Sequence, residues 1–253
     1  MQIIYGLLSL LLVVYLGLCL ALFAWQRSLI YFPQPRSIQP PQNTFNFQVP
    51  GADLVVTIRP TAGSKALLYF GGNAEDVALN LPSLSQAFPG YAIYLLHYRG
   101  YGGSTSNPTE ADIHTDALAL FDRVQKQHPD VLVMGRSLGS GVAVRLASER
   151  PAQRLVLITP YDSIQEIAAS QFPYVPVRWL LRDKYESVKY APAIQIPTTL
   201  VAASNDDIIP AANTQRLLAA FKPGIATLVV IPQSGHNDLS GSPVYLEALV
   251  GRP

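Results

Sequence analysis

The sequence predicts an α/β domain: a mostly parallel twisted sheet with helices on both faces, a small cap insertion and a preceding N-terminal transmembrane helix. Three observations lead there. Strand-like and helix-like segments alternate along most of the chain, the pattern of a doubly wound parallel sheet. Several of the strand-like runs are continuously apolar, as strands covered on both faces must be. The stretch from Ile3 to Trp25 carries no charge at all.

That first stretch extends about 34 Å as a helix, enough to cross a hydrocarbon core of about 30 Å. Trp25, Tyr31 and Phe32 follow where interfacial aromatics belong, with Arg27 just beyond the apolar run. A cleaved signal peptide fits less well. No Lys or Arg precedes the run, the run exceeds the usual ~7–15 residues, and no small-x-small site ends it. Leu18 before Cys19 argues against a lipoprotein signal. The expectation is a single-pass membrane anchor over residues 1–27. Arg27 and Arg36 lean toward a cytoplasmic catalytic domain, although two arginines do not fix the side.

Residues 28–50 hold Pro33, Pro35, Pro40 and Pro41 and several Gln, which reads as a linker and first irregular turn. The domain proper is expected over 51–253, long enough for one full core. Its strand-like runs are Leu54–Arg59, Ala66–Phe70, Tyr91–Tyr98, Val131–Arg136, Leu155–Thr159, Thr198–Ala203 and Ala226–Ile231. Helical stretches fall at Ala74–Phe88, Glu110–His128, Gly141–Arg150, Asn213–Phe221 and Pro243–Val250. The rhythm breaks between Thr159 and Thr198. That interval, too long for a simple connection, holds a helical piece at Ser163–Gln171 and the aromatics Phe172, Tyr174, Trp179 and Tyr185. It is read as a cap over about 161–196, the alternative being one more surface helix and turn.

Charged residues make up 14% of the 253-residue chain and nearly cancel, at net +1, so nothing resembles a nucleic-acid-binding surface. The single cysteine excludes a disulfide framework and a Cys-based zinc site.

The chemistry concentrates at a few places. Gly135-Arg136-Ser137-Leu138-Gly139 follows a strand-like run and precedes a helical one. The G-x-S-x-G pattern in that setting is a nucleophile elbow, a tight turn presenting the Ser oxygen above the sheet. A helix-capping Ser is the competing reading. A hydroxyl needs a base to take its proton, and the chain has four histidines. His114 and His128 belong to one predicted helix and its end, and His97 to a strand end ahead of the Ser. His236, in Ser234-Gly235-His236-Asn237-Asp238 after the last strand, is the expected base. The orienting acid should follow a late strand. Asp206 is preferred there, with Asp207 as the alternative. Two backbone N–H groups are needed for an oxyanion. The expectation is Leu138, next to the nucleophile, and Asn73, in the turn Gly71-Gly72-Asn73-Ala74-Glu75.

These motifs, with Tyr98-Arg99-Gly100-Tyr101-Gly102-Gly103-Ser104, Asp206-Asp207-Ile208-Ile209-Pro210 and Gly235-His236-Asn237-Asp238, occur in one order. From about residue 25 to 250 the chain resembles membrane-anchored α/β-hydrolase-domain serine hydrolases, a branch including acyl-protein thioesterase-like enzymes. The resemblance implies the α/β-hydrolase fold, a Ser-His-Asp triad, no metal and no organic cofactor. Relatives often carry His-Gly-Asn at the oxyanion turn, and Gly71 stands here in place of that His, which bears on pocket shape. In the Tyr98–Gly102 loop, Arg99 is expected to pin a chain reversal, a structural use more than a substrate contact.

The leading expectation is hydrolysis of a carboxylic ester or thioester of an acylated or lipid-like substrate, with Phe172, Tyr174 and Trp179 lining an acyl pocket. Peptide or amide hydrolysis, or a catalytically silent scaffold at the membrane, are the alternatives. Oligomeric state is not legible.

Overall fold

The protein is described from a computed structural model covering residues 1–36 and 43–251. Pro40 and Pro41 of the expected linker lie outside the described residues. The chain begins with α1 (Gln2–Ile30), a single 29-residue helix. Then come β1 (Thr44–Val49), β2 (Ala52–Arg59), β3 (Lys65–Phe70), α2 (Leu81–Ala87), β4 (Ala92–Leu96), α3 (Glu110–Gln125), β5 (Asp130–Arg136) and α4 (Leu138–Glu149). β6 (Arg154–Ile158) leads into α5 (Ile164–Gln171), α6 (Val177–Leu180) and α7 (Ser187–Tyr190). β7 (Thr198–Ala203), α8 (Ala211–Ala220), β8 (Ala226–Ile231) and α9 (Tyr245–Val250) complete it.

The strands form one sheet in the order β1-β2-β4-β3-β5-β6-β7-β8. β1, β2 and β4 pair antiparallel, and from β4 through β3 to β8 every pairing is parallel. A buried cluster lies on each face. Leu68, Phe70, Val133 and Leu157 point toward α3 and α4, while Leu67, Tyr69, Met134 and Val156 point toward α2 and α9. Alternate side chains of one strand thus feed two cores, and this is why β3, β5 and β6 read as unbroken apolar runs.

Two differences from the sequence reading have local causes. The segment read as linker contains β1, whose Phe45 and Phe47 alternate with Asn46 and Gln48 and pair with β2. The prolines around it masked a period-2 pattern that is present in Thr44–Val49. The helix expected from Ala74 starts later. Asp76 accepts from the Ala78 N–H and caps a 3-10 turn at Val77–Asn80, which runs into α2. Residues 71–76 are thereby left free to form a turn at the C-terminal edge of the sheet. The stretch after β6 carries α5 to α7. Ser163 caps α5 by accepting from the Glu166 N–H, a Ser-x-x-Glu start.

Candidate active site

β5 ends at the sheet's centre, flanked by β3 and β6, and the chain turns there into α4. Ser137 occupies that corner with φ 48° and ψ −117°, a strained backbone for a residue with a Cβ. The flanking glycines are required by space. A Cβ on Gly139 would lie 2.0 Å from the Phe70 carbonyl oxygen, and one on Gly135 would lie 2.2 Å from that of Gly139. α4 starts immediately at Leu138, three residues before the position expected from the sequence. The Leu138 N–H is therefore among those at the helix start with no intrahelical acceptor.

His236 arrives from the loop after β8. Its Nε2 lies 3.0 Å from Ser137 Oγ, and its Nδ1 lies 2.9 Å from Asp206 Oδ2 and 3.1 Å from Oδ1. With Nδ1–H donating to the carboxylate, Nε2 is free to accept the serine proton, the arrangement this network favours. Ser137 and His236 are both buried. Asp206 also accepts from the backbone N–H groups of Ile208 and Ile209. Burial pushes its carboxyl up, but the His236 hydrogen bond and these two N–H donors outweigh it and hold the group below the ordinary aspartate value. Asp207 is exposed on the same loop and makes no hydrogen bond to His236.

The other histidines have separate employment. His97 is buried against Thr57 Oγ1, and His128 bonds the Gly63 carbonyl and Tyr94. His114 is buried with its Nε2 3.0 Å from Glu149 Oε1.

The turn 71–75 faces Ser137 across the site. Gly72 and Asn73 line the cavity beside Ser137, Leu138 and His236. The Gly72 N–H is taken by Glu75 Oε2 at 2.6 Å, whereas among the described residues the Asn73 N–H makes no hydrogen bond. Asn73 is held on every other side. Its carbonyl accepts from Tyr101 Oη and the Phe32 N–H, and its side-chain amide donates to the Ile30 carbonyl. At Gly71, a Cβ would fall 2.4 Å from Val77 Cγ1, so Val77 fills the space a side chain would need.

Two supports carry little signal in the sequence. Glu75 accepts from Gly72 N–H, Tyr69, Asn80 and Arg136. Arg136, the variable residue of the elbow, also reaches the His236 carbonyl and Asn237 Oδ1. This ion pair ties the turn 71–75, the elbow and the histidine loop together. Its only mark in the sequence is a charged residue inside an otherwise apolar strand end. Arg99 pins its loop as expected, through two 2.8 Å bonds to buried Asp116, while Tyr98 Oη holds the Gly71 carbonyl.

Ser137 and His236 line a cavity of about 440 Å³. Its walls are mostly aliphatic: Ile164, Ile167, Val175, Val177, Leu180 and Leu181 from the cap segment, and Leu22, Phe23, Leu29 and Ile30 from α1. Phe172 lines it as expected. Tyr174 and Trp179 do not; they are 88% and 89% exposed and turn outward. Branched aliphatic side chains fill the inward positions of this short helical segment, and residue type alone does not reveal which positions those are.

Comparison with known proteins agrees with this architecture. Residues 83–185 match the family model described as serine aminopeptidase, S33. An uncharacterized protein of Mycobacterium tuberculosis, Rv2307c, is 34% identical over 92% of this chain and 89% of its own length. The lysophosphatidylserine lipase ABHD12 of Xenopus tropicalis is 31% identical over 57% of this chain and 43% of its own. Among solved structures, the Pyrococcus furiosus esterase Pf2001 superposes with a TM-score of 0.69 at 16% identity, over 87% of this chain and 97% of that one. Est1E of Butyrivibrio proteoclasticus, solved with ferulic acid, gives 0.66 at 17% identity, over 82% and 95%. With its parallel sheet, its serine at the β5–α4 corner and these relatives, the chain belongs to the α/β-hydrolase family.

Proposed function

We propose that the protein is a membrane-anchored serine hydrolase that cleaves carboxylic esters or thioesters of acylated, lipid-like substrates through an acyl-enzyme on Ser137. The observation that carries this reading is the continuous hydrogen-bonded line from Ser137 Oγ through the His236 ring to Asp206, its serine and histidine lining a largely aliphatic cavity. As Ser137 Oγ attacks the carbonyl carbon, Nε2 of His236 takes its proton, and the Asp206 carboxylate stabilises the imidazolium. The carbonyl oxygen becomes an oxyanion between the N–H groups of Leu138 and Asn73. The imidazolium then protonates the leaving alcohol or thiol, the acyl-serine forms, and water activated by His236 releases the acid.

The lipase and esterase names of relatives and neighbours support an ester-type substrate. The aliphatic walls support an acyl chain, since a cavity of this size and lining suits a largely apolar ligand. α1 supports an anchor. It is the one helix among the described residues long and apolar enough to cross a bilayer, and only 6% of its most apolar 18-residue stretch is buried.

The test is covalent labelling with a fluorophosphonate, followed by profiling on p-nitrophenyl esters of rising chain length. Labelling of the wild type and not of Ser137→Ala, with turnover rising beyond acetyl, is the expected result. A folded wild type that does not label points to a silent scaffold. A sharp acetyl preference removes the lipid-like substrate. Turnover confined to aminoacyl or peptidyl amides would favour the peptidase reading that the matched family's description suggests.

A further inference from the structure

The anchor helix docks on the cap. Its buried positions Cys19, Gln26 and Ile30, with half-buried Leu22 and Phe23 between them, recur every three to four residues and so fall on one stripe. The contacts extend from Tyr15 to Tyr31 on the helix and from Tyr174 to Asp183 on the cap. Tyr15 Oη donates to the Tyr174 carbonyl at 2.9 Å. The Arg182 guanidinium stacks 4.2 Å from the centre of the Phe23 ring. Gln26 donates to the Leu180 carbonyl at 3.1 Å and accepts from the Arg182 N–H at 2.6 Å. Arg27 pairs with buried Asp183 at 2.9 Å, and Tyr31 donates to the same carboxylate.

This ladder sets a depth. The Gln26, Arg27 and Asp183 layer is too polar to lie in hydrocarbon, and so marks the membrane's polar side. From Gln26 back to Tyr15 the helix rises about 16 Å. The headgroup layer on one side of a bilayer is only about 7 Å thick. A cap tip that reaches Tyr15 therefore passes the headgroups. The side chain displayed at that tip is Tyr174, almost fully exposed, with Phe172 at 41% two residues before it, whereas Trp179 adjoins Leu180 at the level of Gln26. Tyr and Trp favour this boundary zone. The same α1 turns that meet the cap supply Leu22, Phe23, Leu29 and Ile30 to the cavity wall above Ser137.

We propose that the uncharged segment 172–175 of the cap is seated in the bilayer and that the cavity fills from the membrane. The acyl chain of a long-chain ester drawn from the bilayer lies along the α1 wall with its carbonyl at Ser137 and its leaving group beyond, on the polar side. α1 is then a specificity-determining part of the site as well as an anchor. The same stretch is fastened to the turn 71–75 through Ile30, Phe32 and Asn73. The inference rests on reading α1 as membrane-spanning and Ser137 as the nucleophile.

The experiment uses the full chain in phosphatidylcholine vesicles, with p-nitrophenyl acetate in the water phase and p-nitrophenyl palmitate in the bilayer. In Leu29→Trp, which narrows the cavity, and in Tyr174→Glu, which places a charge at the seated tip, the palmitate-to-acetate ratio of kcat/KM should fall about tenfold. A parallel loss on both esters, or an unchanged ratio, overturns the proposal. A second measurement does not depend on turnover. With Tyr174→Trp in a Trp25→Phe, Trp179→Phe background, tryptophan fluorescence should be quenched by brominated phosphatidylcholine, and absence of quenching overturns the seating. A wild type that hydrolyses acetate and labels with fluorophosphonate while failing these tests sinks this inference alone. A wild type that does neither sinks the hydrolase reading.

Discussion

At the scale of single residues, the two adjacent aspartates after β7 make the sharpest comparison. Asp206 faces His236 and Asp207 faces solvent, so their amides should behave differently. Asp206→Asn should lower kcat on a p-nitrophenyl ester by about 10⁴, because the carboxylate that sets the tautomer is gone. Asp207→Asn should change it by less than about twofold. Equal effects would mean that the loop rearranges to present either acid. Glu75 acts through others. It holds the Gly72 N–H and the Arg136 guanidinium, and its replacement by Gln weakens the brace behind the Asn73 N–H. Glu75→Gln should reduce kcat by about tenfold to a hundredfold with KM little changed, since only the oxyanion needs that N–H placed. A rise in KM with kcat intact would assign Glu75 to substrate binding instead.

At the scale of elements, the docking of α1 on the cap has a measurable stability. Asp183 is buried and receives Arg27 and Tyr31. Asp183→Asn removes a charge-assisted pair and should cost about 2 kcal/mol, read as a lower urea midpoint in detergent. An unchanged midpoint would mean that the helix and cap hold together without it. The loop after β4 is a second case. Gly102 lies against the His97 ring so closely that a Cβ would come 2.0 Å from Nδ1, which seals the imidazole against Thr57. Burial pushes the His97 pKa down to about 4.

At the scale of the whole molecule, that buried neutral histidine gives folding a pH dependence. Between its depressed folded value and its ordinary value near 6.5, the unfolded chain binds more protons than the folded one. Stability is therefore complete above about pH 6.5 and declines as pH falls toward about 4, by up to about 3 kcal/mol. Denaturation midpoints at about pH 7 and about pH 5 should differ more in the wild type than in His97→Gln. Equal differences would place the acid sensitivity elsewhere.

What is legible in the residues alone follows from periodicity and local turn chemistry. The apolar runs of β3, β5 and β6, the elbow glycines and the loop order of Ser137, Asp206 and His236 are short-range patterns, each recorded within a few neighbouring residues. The long apolar helix α1 is the same kind of signal, an uncharged run of sufficient length to cross a bilayer. Contacts between segments far apart in the chain leave no such record. β1 is hidden by flanking prolines, although its alternation is present. The ties from Glu75 to Arg136 and from Arg136 to the His236 loop join residues tens of positions apart. Which cap side chains face inward depends on how α5 and α6 lie over the sheet, and that packing puts Ile164 and Leu180 in the cavity while Tyr174 and Trp179 turn out. That α1 forms one wall of the cavity is decided by tertiary packing alone, because helical periodicity tells which positions share a face and carries no information about what that face meets.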